Sequence, residues 1–358
     1  MANIVVLGAG VMGTALAIPP ASINTNVVTL AGSPLDDKLI ASIQNTRHHP
    51  TLDAQIPSTV NAVQLEDLKT ETVLAADIIV IGVSSAGIDW ASAYLNKLEA
   101  KPAALALVTK GLVQGNTIDT PPLTYADTLA SSLNLTTDQI VGIGGPCIAR
   151  ELALGFPTRV TFACRHQPLA QQLQQQFQTS YYRITTHSNI VALEACAALK
   201  NFLCIGVSAM LSAYSLGSSH ARNPVAALYN QAVRELFVLS HWISKASATP
   251  PSESRDISDN VAFDLAGMGD LHVTVGGGRN SRLGAYLGKG ETLSTVLASK
   301  MAGVTVEGVD TGRCLLSAFR SACANGELDI SALPLTDAIL NCIEHDKPFV
   351  FDFQTLPA

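Results

Sequence analysis

The chain lacks the signals that mark nucleic-acid, metal or disulfide chemistry. No run of Lys and Arg occurs in its 358 residues, and the formal net charge is −7, so a nucleic-acid partner finds no basic footprint. An anionic small substrate stays open, because a local basic cluster overrides the global sign. The seven Cys (147, 164, 196, 204, 314, 323 and 342) are an odd number and form no CxxC pair. Several lie in apolar runs and read as reduced core thiols of a cytoplasmic protein. The eight His show no HxxxH or HExxH spacing; no metal is expected, and the polar setting of His48-His49 reads as surface. No basic segment precedes the first apolar residues, so no secretory leader is expected. Internal repeats and low-complexity tracts are missing too.

What is present is apolar: 47% of the residues are hydrophobic, which excludes disorder over most of the length. The length suggests two domains. Residues 191–216 are long and apolar enough to raise the question of a membrane helix. Glu194, Lys200, Asn201 and several Ser argue against lipid exposure, so no membrane insertion is expected.

Residues 3–7 form a short apolar strand, followed at once by Gly8-Ala9-Gly10-Val11-Met12-Gly13 and a helix opening at Thr14. This is G-x-G-x-x-G in the strand, turn, helix setting that dinucleotide binding requires. Gly8 permits the turn, Gly10 admits a pyrophosphate, and Gly13 lets helix and strand pack. The helix N-terminus offers amides and a positive dipole end to phosphates. Pro19-Pro20 predicts a kink or an early end. A second strand spans 26–30. After it, where an acid would accept from an NAD ribose, stand Ala31-Gly32-Ser33, with Asp36 and Asp37 late and no adjacent Arg for a 2′-phosphate. NAD and NADP both remain open.

A helix is expected over 37–45 and a loop over 47–58. Buried strands follow over 76–83 and 103–108, the latter ending in Thr109-Lys110-Gly111. Ligands of doubly wound sheets bind beyond the carboxyl ends of strands, where Lys110 sits. Gly145-Pro146 leads into a short helix, and later strands are expected at 159–164 and 181–185. After Ser188 helices dominate, which divides the chain into domains 1–188 and 189–358. Helices are expected over 226–245, 293–301 and 312–324, a loop over 246–259, and a loose terminus from Asp346.

Residues 191–206 read as a helix buried on all sides, yet Lys200 and Asn201 stand inside it. A buried ammonium is costly unless paired or used. A Gly-rich segment, 275–282, ends in Arg279-Asn280, whose guanidinium fork and neighbouring amides suit a phosphate.

Together these motifs resemble the NAD(P)-dependent glycerol-3-phosphate dehydrogenase family. The resemblance rests on Gly8-Ala9-Gly10-x-x-Gly13-Thr14-Ala15-Leu16-Ala17, Thr109-Lys110-Gly111, and Gly145-Pro146 with Ala149 and Glu151. It continues through Leu199-Lys200-Asn201, Asn223 with Ala226-Ala227-Leu228, Gly269-Asp270-Leu271, Thr274 and Gly278-Arg279-Asn280, from about residue 3 to about 320. It implies an α/β fold, with an N-terminal Rossmann-type doubly wound sheet and an all-α C-terminal domain. The implied reaction interconverts sn-glycerol 3-phosphate and dihydroxyacetone phosphate with NAD or NADP. By the same resemblance Lys200 is the acid/base, with Lys110 and Asp270 as its catalytic partners. Lys110, Asn201, Thr274, Arg279 and Asn280 bind substrate, and Gly8, Gly10, Val11, Met12, Gly13, Ser33, Ala149 and Arg279 bind cofactor. A small phosphorylated substrate and a homodimer are also implied. The sequence departs from the family pattern at Arg222-Asn223-Pro224-Val225 and at Ser281-Arg282. Those changes leave open a related dehydrogenase of another polyol phosphate or hydroxy acid, and a nucleotide-binding protein without turnover.

Overall fold

The computed structural model describes residues 2–216, 219–247 and 260–357. The loop expected over 246–259 lies, from residue 248 on, outside them. Two compact units form: Met1–Lys110 with Ala126–Ile190, and Gly111–Tyr125 with Val191–Ala358. The 111–125 segment thus clusters with the second unit, although it precedes most of the first unit's later strands in sequence.

The first unit is built on one eight-stranded sheet. Its strands are β1 (Ala2–Leu7), β2 (Asn26–Ala31), β3 (Val60–Val63), β4 (Ile78–Ile81), β5 (Ala104–Leu107), β6 (Ile140–Gly144), β7 (Thr158–Ala163) and β8 (Tyr182–His187). They lie in the order β8-β7-β6-β5-β4-β1-β2-β3. Strands β1 to β6 are parallel, β7 opposes β6, and β8 runs with β7. All residues of Ile78-Ile79-Val80-Ile81 and of Ala104–Leu107 are buried, the pattern of central parallel strands covered on both faces. The chain leaves β1 for β2 on one side and returns to β4 on the other. This reversal opens a crevice at the carboxyl ends of β1 and β4.

Helix α1 (Val11–Ala21) follows β1, α2 (Asp37–Thr46) follows β2, α3 (Ile88–Lys97) follows β4 and α4 (Ala149–Ala153) follows β6. The proline pair lies inside α1, and the helix stops one residue after Pro20, where the Ser22 N–H turns to Pro19 O at 3.1 Å. The stretch expected as a loop over 47–58 is more ordered than that. Arg47 adopts a left-handed conformation with φ 56°, and the chain then forms a short antiparallel ladder, His48–His49 with Ala54–Gln55. His49 is fully buried, which corrects its reading as a surface residue: the ladder turns its ring inward, where it finds two backbone partners.

The second unit is helical apart from short ladders. Its principal helices are α5 (Ile190–Ala213), α6 (Arg222–Ala246), α7 (Asp270–Val275), α8 (Arg279–Leu287), α9 (Glu307–Ala324) and α10 (Pro334–His345). Residues 190–210 of α5 are buried without a break. This helix is long and apolar enough to cross a membrane, and its most apolar stretch is wholly buried within the protein. Helix α6 begins four residues before its expected start. Pro224 falls in its first turn, where a backbone N–H has no intrahelical acceptor to lose. The terminus expected to be loose is anchored at its beginning: Asp346 accepts from the Ser294 N–H at 2.8 Å and from the Ser294 hydroxyl.

A buried carboxylate joins α6 to α10. Glu235 accepts from Leu335 N at 2.7 Å, Thr336 N and Thr336 Oγ1 at 2.6 Å each, and Gln231 Nε2 at 2.8 Å. It thereby caps the first turn of α10, whose amides have no helical acceptors. Burial pushes its carboxyl from 4.5 up to about 7, against the pull of these donors. A folded-state value above the unfolded one means that this group's contribution is whole below about pH 4.5 and is lost as pH rises through about 7. The linkage amounts to about 3 kcal/mol, at about 1.4 kcal/mol per pH unit. Glu235→Gln is therefore expected to flatten the fall in melting temperature of the wild type between about pH 4.5 and 7. An unchanged slope in thermal melts across that range would contradict this.

Candidate active site

In the first unit the glycine turn is fixed by close contacts on its inner side. Gly8 has φ +104°, and a Cβ there would lie 2.7 Å from Val83 Cγ1. A Cβ on Gly13 would lie 2.2 Å from Gly8 O and 3.1 Å from Gly82 O, so α1 packs directly onto the ends of β1 and β4. Gly10 differs: a Cβ there would meet nothing within 4 Å. It caps α1, and the Thr14 N–H is bonded to Gly10 O at 2.9 Å. The amides of Val11, Met12 and Gly13 precede that first intrahelical bond, so they face the open side with the positive end of the dipole. Backbone donors, no side chain at Gly10 and a reversed strand order make a cradle that fits a dinucleotide pyrophosphate.

A cavity of about 370 Å³ adjoins this turn, lined in part by Gly8, Gly10, Ser33, Asp36, Ser84 and Trp90. Of the expected cofactor residues, Gly8, Gly10 and Ser33 line it. Val11 is exposed, while Met12 and Ala149 pack against the first unit's core. Asp36 and Trp90 were not singled out as ligand-facing from the sequence. Trp90 stacks on Tyr94, one turn later on α3, with centroids 5.8 Å apart. Lys110 also belongs to the first unit and follows β5. The preceding Thr109 is held there by its Oγ1 bond to Val83 O at 2.6 Å.

In the second unit Lys200 is 5% exposed, midway along α5. Its Nζ lies 3.0 Å from Asp270 Oδ1 and 2.6 Å from Thr274 Oγ1. Thr274 donates its own proton to Asp270 O at 2.7 Å, so its oxygen presents lone pairs to the ammonium. Asp270 and Thr274 occupy positions i and i+4 of α7 and share one face. Directly before α7, Leu265–Gly269 forms a π turn in which Gly269 N reaches Asp264 O at 3.2 Å. Such widened turns set the entry of a helix and cluster at functional sites; no sequence signal announced this one. Cys204, one turn beyond Lys200, donates to Thr274 O at 3.4 Å. Burial pushes its thiol up to about 11, so it stands beside Lys200 as a neutral group.

Asn201 and Asn280 are buried. Asn280 Oδ1 accepts from Gly308 N at 2.9 Å, which ties the start of α8 to the start of α9. Helix α8 lies against α5 through Gly284, where a Cβ would come within 2.3 Å of Ile205 O. Arg279 is half exposed, and its guanidinium pairs with Glu307, a partner the sequence did not reveal. The second unit therefore brings Lys200, Asp270 and Thr274 into one buried cluster. It gives Asn280 a backbone partner and Arg279 a carboxylate. Among the described residues no group of three or more His, Cys, Asp or Glu could hold a metal.

Comparison with known proteins covers both units. The family model of the NAD-dependent glycerol-3-phosphate dehydrogenase N-terminus matches residues 3–170, and that of its C-terminus matches residues 189–350. The chain is 30% identical over 296 residues to the NADP(+)-dependent glycerol-3-phosphate dehydrogenase of Archaeoglobus fulgidus, covering 82% of each chain. It is 29% identical to a glycerol-3-phosphate dehydrogenase (NAD(P)+) of Listeria innocua, over 96% of this chain and 93% of that one. Among solved structures, the glycerol-3-phosphate dehydrogenase of Coxiella burnetii shares the fold with a TM-score of 0.73 at 23% identity, over 97% and 96% of the two chains. That of Plasmodium falciparum does so with a TM-score of 0.78 at 15% identity, over 97% and 92%. With both family segments matched in order along one chain, and a dinucleotide cradle followed by a helical unit holding a buried lysine, this protein belongs to the NAD-dependent glycerol-3-phosphate dehydrogenase family.

Proposed function

We propose that the chain interconverts sn-glycerol 3-phosphate and dihydroxyacetone phosphate with NAD(H) or NADP(H), and that Lys200 is its acid and base. The observation that carries this reading is the buried Lys200 ammonium, held between Asp270 Oδ1 and Thr274 Oγ1. A bound nicotinamide supplies hydride to the ketone carbon or accepts it from the alcohol. As a ketone is reduced, negative charge gathers on its oxygen; the Lys200 ammonium stabilises that charge and delivers the proton. In the reverse direction Lys200, as the amine, takes the hydroxyl proton. Asp270 offsets the cost of a buried cation and fixes its position, and Thr274 orients it through a committed hydroxyl. Lys110, at the carboxyl end of β5, is the second catalytic cation in this reading.

Arg279 is assigned to the substrate phosphate: its fork of donors exchanges the Glu307 carboxylate for a dianion. Asn201 and Asn280 complete the substrate-binding set. Asn280 is assigned with Arg279 to the phosphate, and its bond to Gly308 N, which ties the starts of α8 and α9, supports that placement. Among the cofactor-binding residues, Gly8, Gly10 and Gly13 shape the cradle, Val11 and Met12 supply amides, and Ser33 lines the cavity; Ala149 and Arg279 are assigned by family resemblance. The family resemblance also supports a homodimer. Seven cysteines, none of them in a disulfide among the described residues, support a cytoplasmic location.

The direct test is purified protein with dihydroxyacetone phosphate and NADH or NADPH in parallel, followed at the reduced nicotinamide band. Oxidation of either is expected; intact cofactor binding with no oxidation contradicts the substrate assignment. Lys200→Ala is expected to lower kcat by about 10²–10⁴ with the fold retained by circular dichroism. An active Lys200→Ala enzyme would remove its role. Arg279→Ala is expected to raise KM for dihydroxyacetone phosphate by about tenfold or more, and an unchanged KM would sink the phosphate assignment.

A further inference from the structure

The glycine turn has one residue, Ala9, whose N–H and C=O are both held by side chains of the first unit. The Ala9 N–H donates to Asp36 Oδ2 at 2.9 Å, and the same oxygen accepts from Ser33 N at 2.8 Å. The Ala9 carbonyl faces two donors: Thr14 Oγ1 at 3.0 Å and His49 Nε2 at 2.9 Å. The proton on His49 can be placed from its other nitrogen. Nδ1 accepts from Leu52 N at 3.0 Å, so it carries no proton and Nε2 is the donor. All three side chains are buried: Asp36 is 8% exposed, while Thr14 and His49 are at 0%.

Planarity turns these contacts into an orientation. In a trans peptide the C=O and N–H point in opposite directions, and the described chain has no cis peptide bond. The carbonyl of Ala9 and the N–H of Gly10 belong to one such plane. With the carbonyl drawn inward by His49 and Thr14, the Gly10 N–H is turned outward, over the side where a Cβ on Gly10 would meet nothing within 4 Å. Asp36 fixes the preceding peptide in the same way. Its hold on the Ala9 N–H turns Gly8 O towards Gly13, where a Cβ would come within 2.2 Å of it.

His49 reaches this position because its own segment is tied down. Arg47 Nε donates to Ile56 O at 3.1 Å and its Nη2 to Val60 O at 3.0 Å, and the Asp53 N–H closes back on His49 O at 2.8 Å. The excursion between α2 and β3 is therefore a bracket that delivers one imidazole to one carbonyl.

We propose that Asp36 and His49 are positioning residues of the cofactor site, a clamp on Ala9 that presets the Gly10 amide towards the pyrophosphate of NAD(H) or NADP(H). This deepens the dinucleotide reading of the turn and rests on it. A preset donor binds without paying the cost of reorientation. Loosening the two peptides that flank Ala9 therefore weakens the cofactor and leaves the ketone untouched. The clamp is a device of binding and not of hydride or proton transfer.

The test compares deletion with conservative replacement, reading the dissociation constant of NADH by fluorescence and the KM values of cofactor and ketone. His49→Leu and Asp36→Ala are each expected to weaken NADH about five- to tenfold, the worth of one buried hydrogen bond. The rise in cofactor KM should far exceed any change in the KM for dihydroxyacetone phosphate. His49→Gln, which returns a donor near Nε2, and Asp36→Asn, which returns an acceptor oxygen, are expected to recover most of the loss. Should either deletion fail to fold, Thr14→Val removes a bond to the same carbonyl and is expected to weaken NADH two- to fivefold. NADH binding at wild-type strength in the deletion variants overturns the clamp, as does a loss that the conservative variants do not recover. Wild-type protein that binds neither NADH nor NADPH overturns the dinucleotide reading itself, a result distinct from wild-type binding that the variants leave unmoved.

Discussion

A lysine ammonium buried in an apolar helix constrains the whole second unit. Lys200 sits in a run of buried residues on α5, and its charge must be met by a partner inside the protein. Removing one member of such a pair strands the other charge, at a cost of about 3–5 kcal/mol. The partner must therefore arrive with fixed geometry. The π turn before α7 and the i, i+4 placement of Asp270 and Thr274 provide it. Helix α8 then packs on α5 through a side-chain-free face at Gly284, and Asn280 ties its start to α9. Each of these features is irregular or sterically demanding on its own. Together they hold one ammonium in place away from bulk water.

The first unit solves a different problem, the presentation of backbone amides. A dinucleotide phosphate is recognised by N–H groups whose direction is set by peptide planes rather than by rotamers. The parallel order around β1 places the turn at the crevice, and tight contacts at Gly8 and Gly13 fix its depth. Asp36, which follows β2 too late to be read as the ribose acceptor, has its two side-chain hydrogen bonds on backbone amides of the turn and of the β2–α2 connection. The residue still lines the cavity.

Much of this was legible in the sequence because the signals were local. The glycine fingerprint, the buried strands at 78–81 and 104–107 and the polar pair inside an apolar helix each lie within one element and need no distant partner to be read. The fold class and the family followed from their order. What was not legible depended on contacts far apart in the chain. His49 looked like a surface residue because its neighbours are polar; its carbonyl partner lies forty residues away. Glu307 lies twenty-eight residues from Arg279 and carries no motif. The early start of α6 was hidden by Pro224, a helix breaker everywhere except in the first turn. The reversed direction of β7 and β8 has no signature in strands whose two faces are both partly covered.

The most direct test of Lys200 as acid and base is a crystal structure of the enzyme with a nicotinamide cofactor and sn-glycerol 3-phosphate or dihydroxyacetone phosphate. The C2 oxygen is expected within about 3.2 Å of Lys200 Nζ, with Asp270 still paired to the ammonium. A substrate whose C2 oxygen lies beyond about 4 Å from Lys200, beside a different acid or base, would contradict that role.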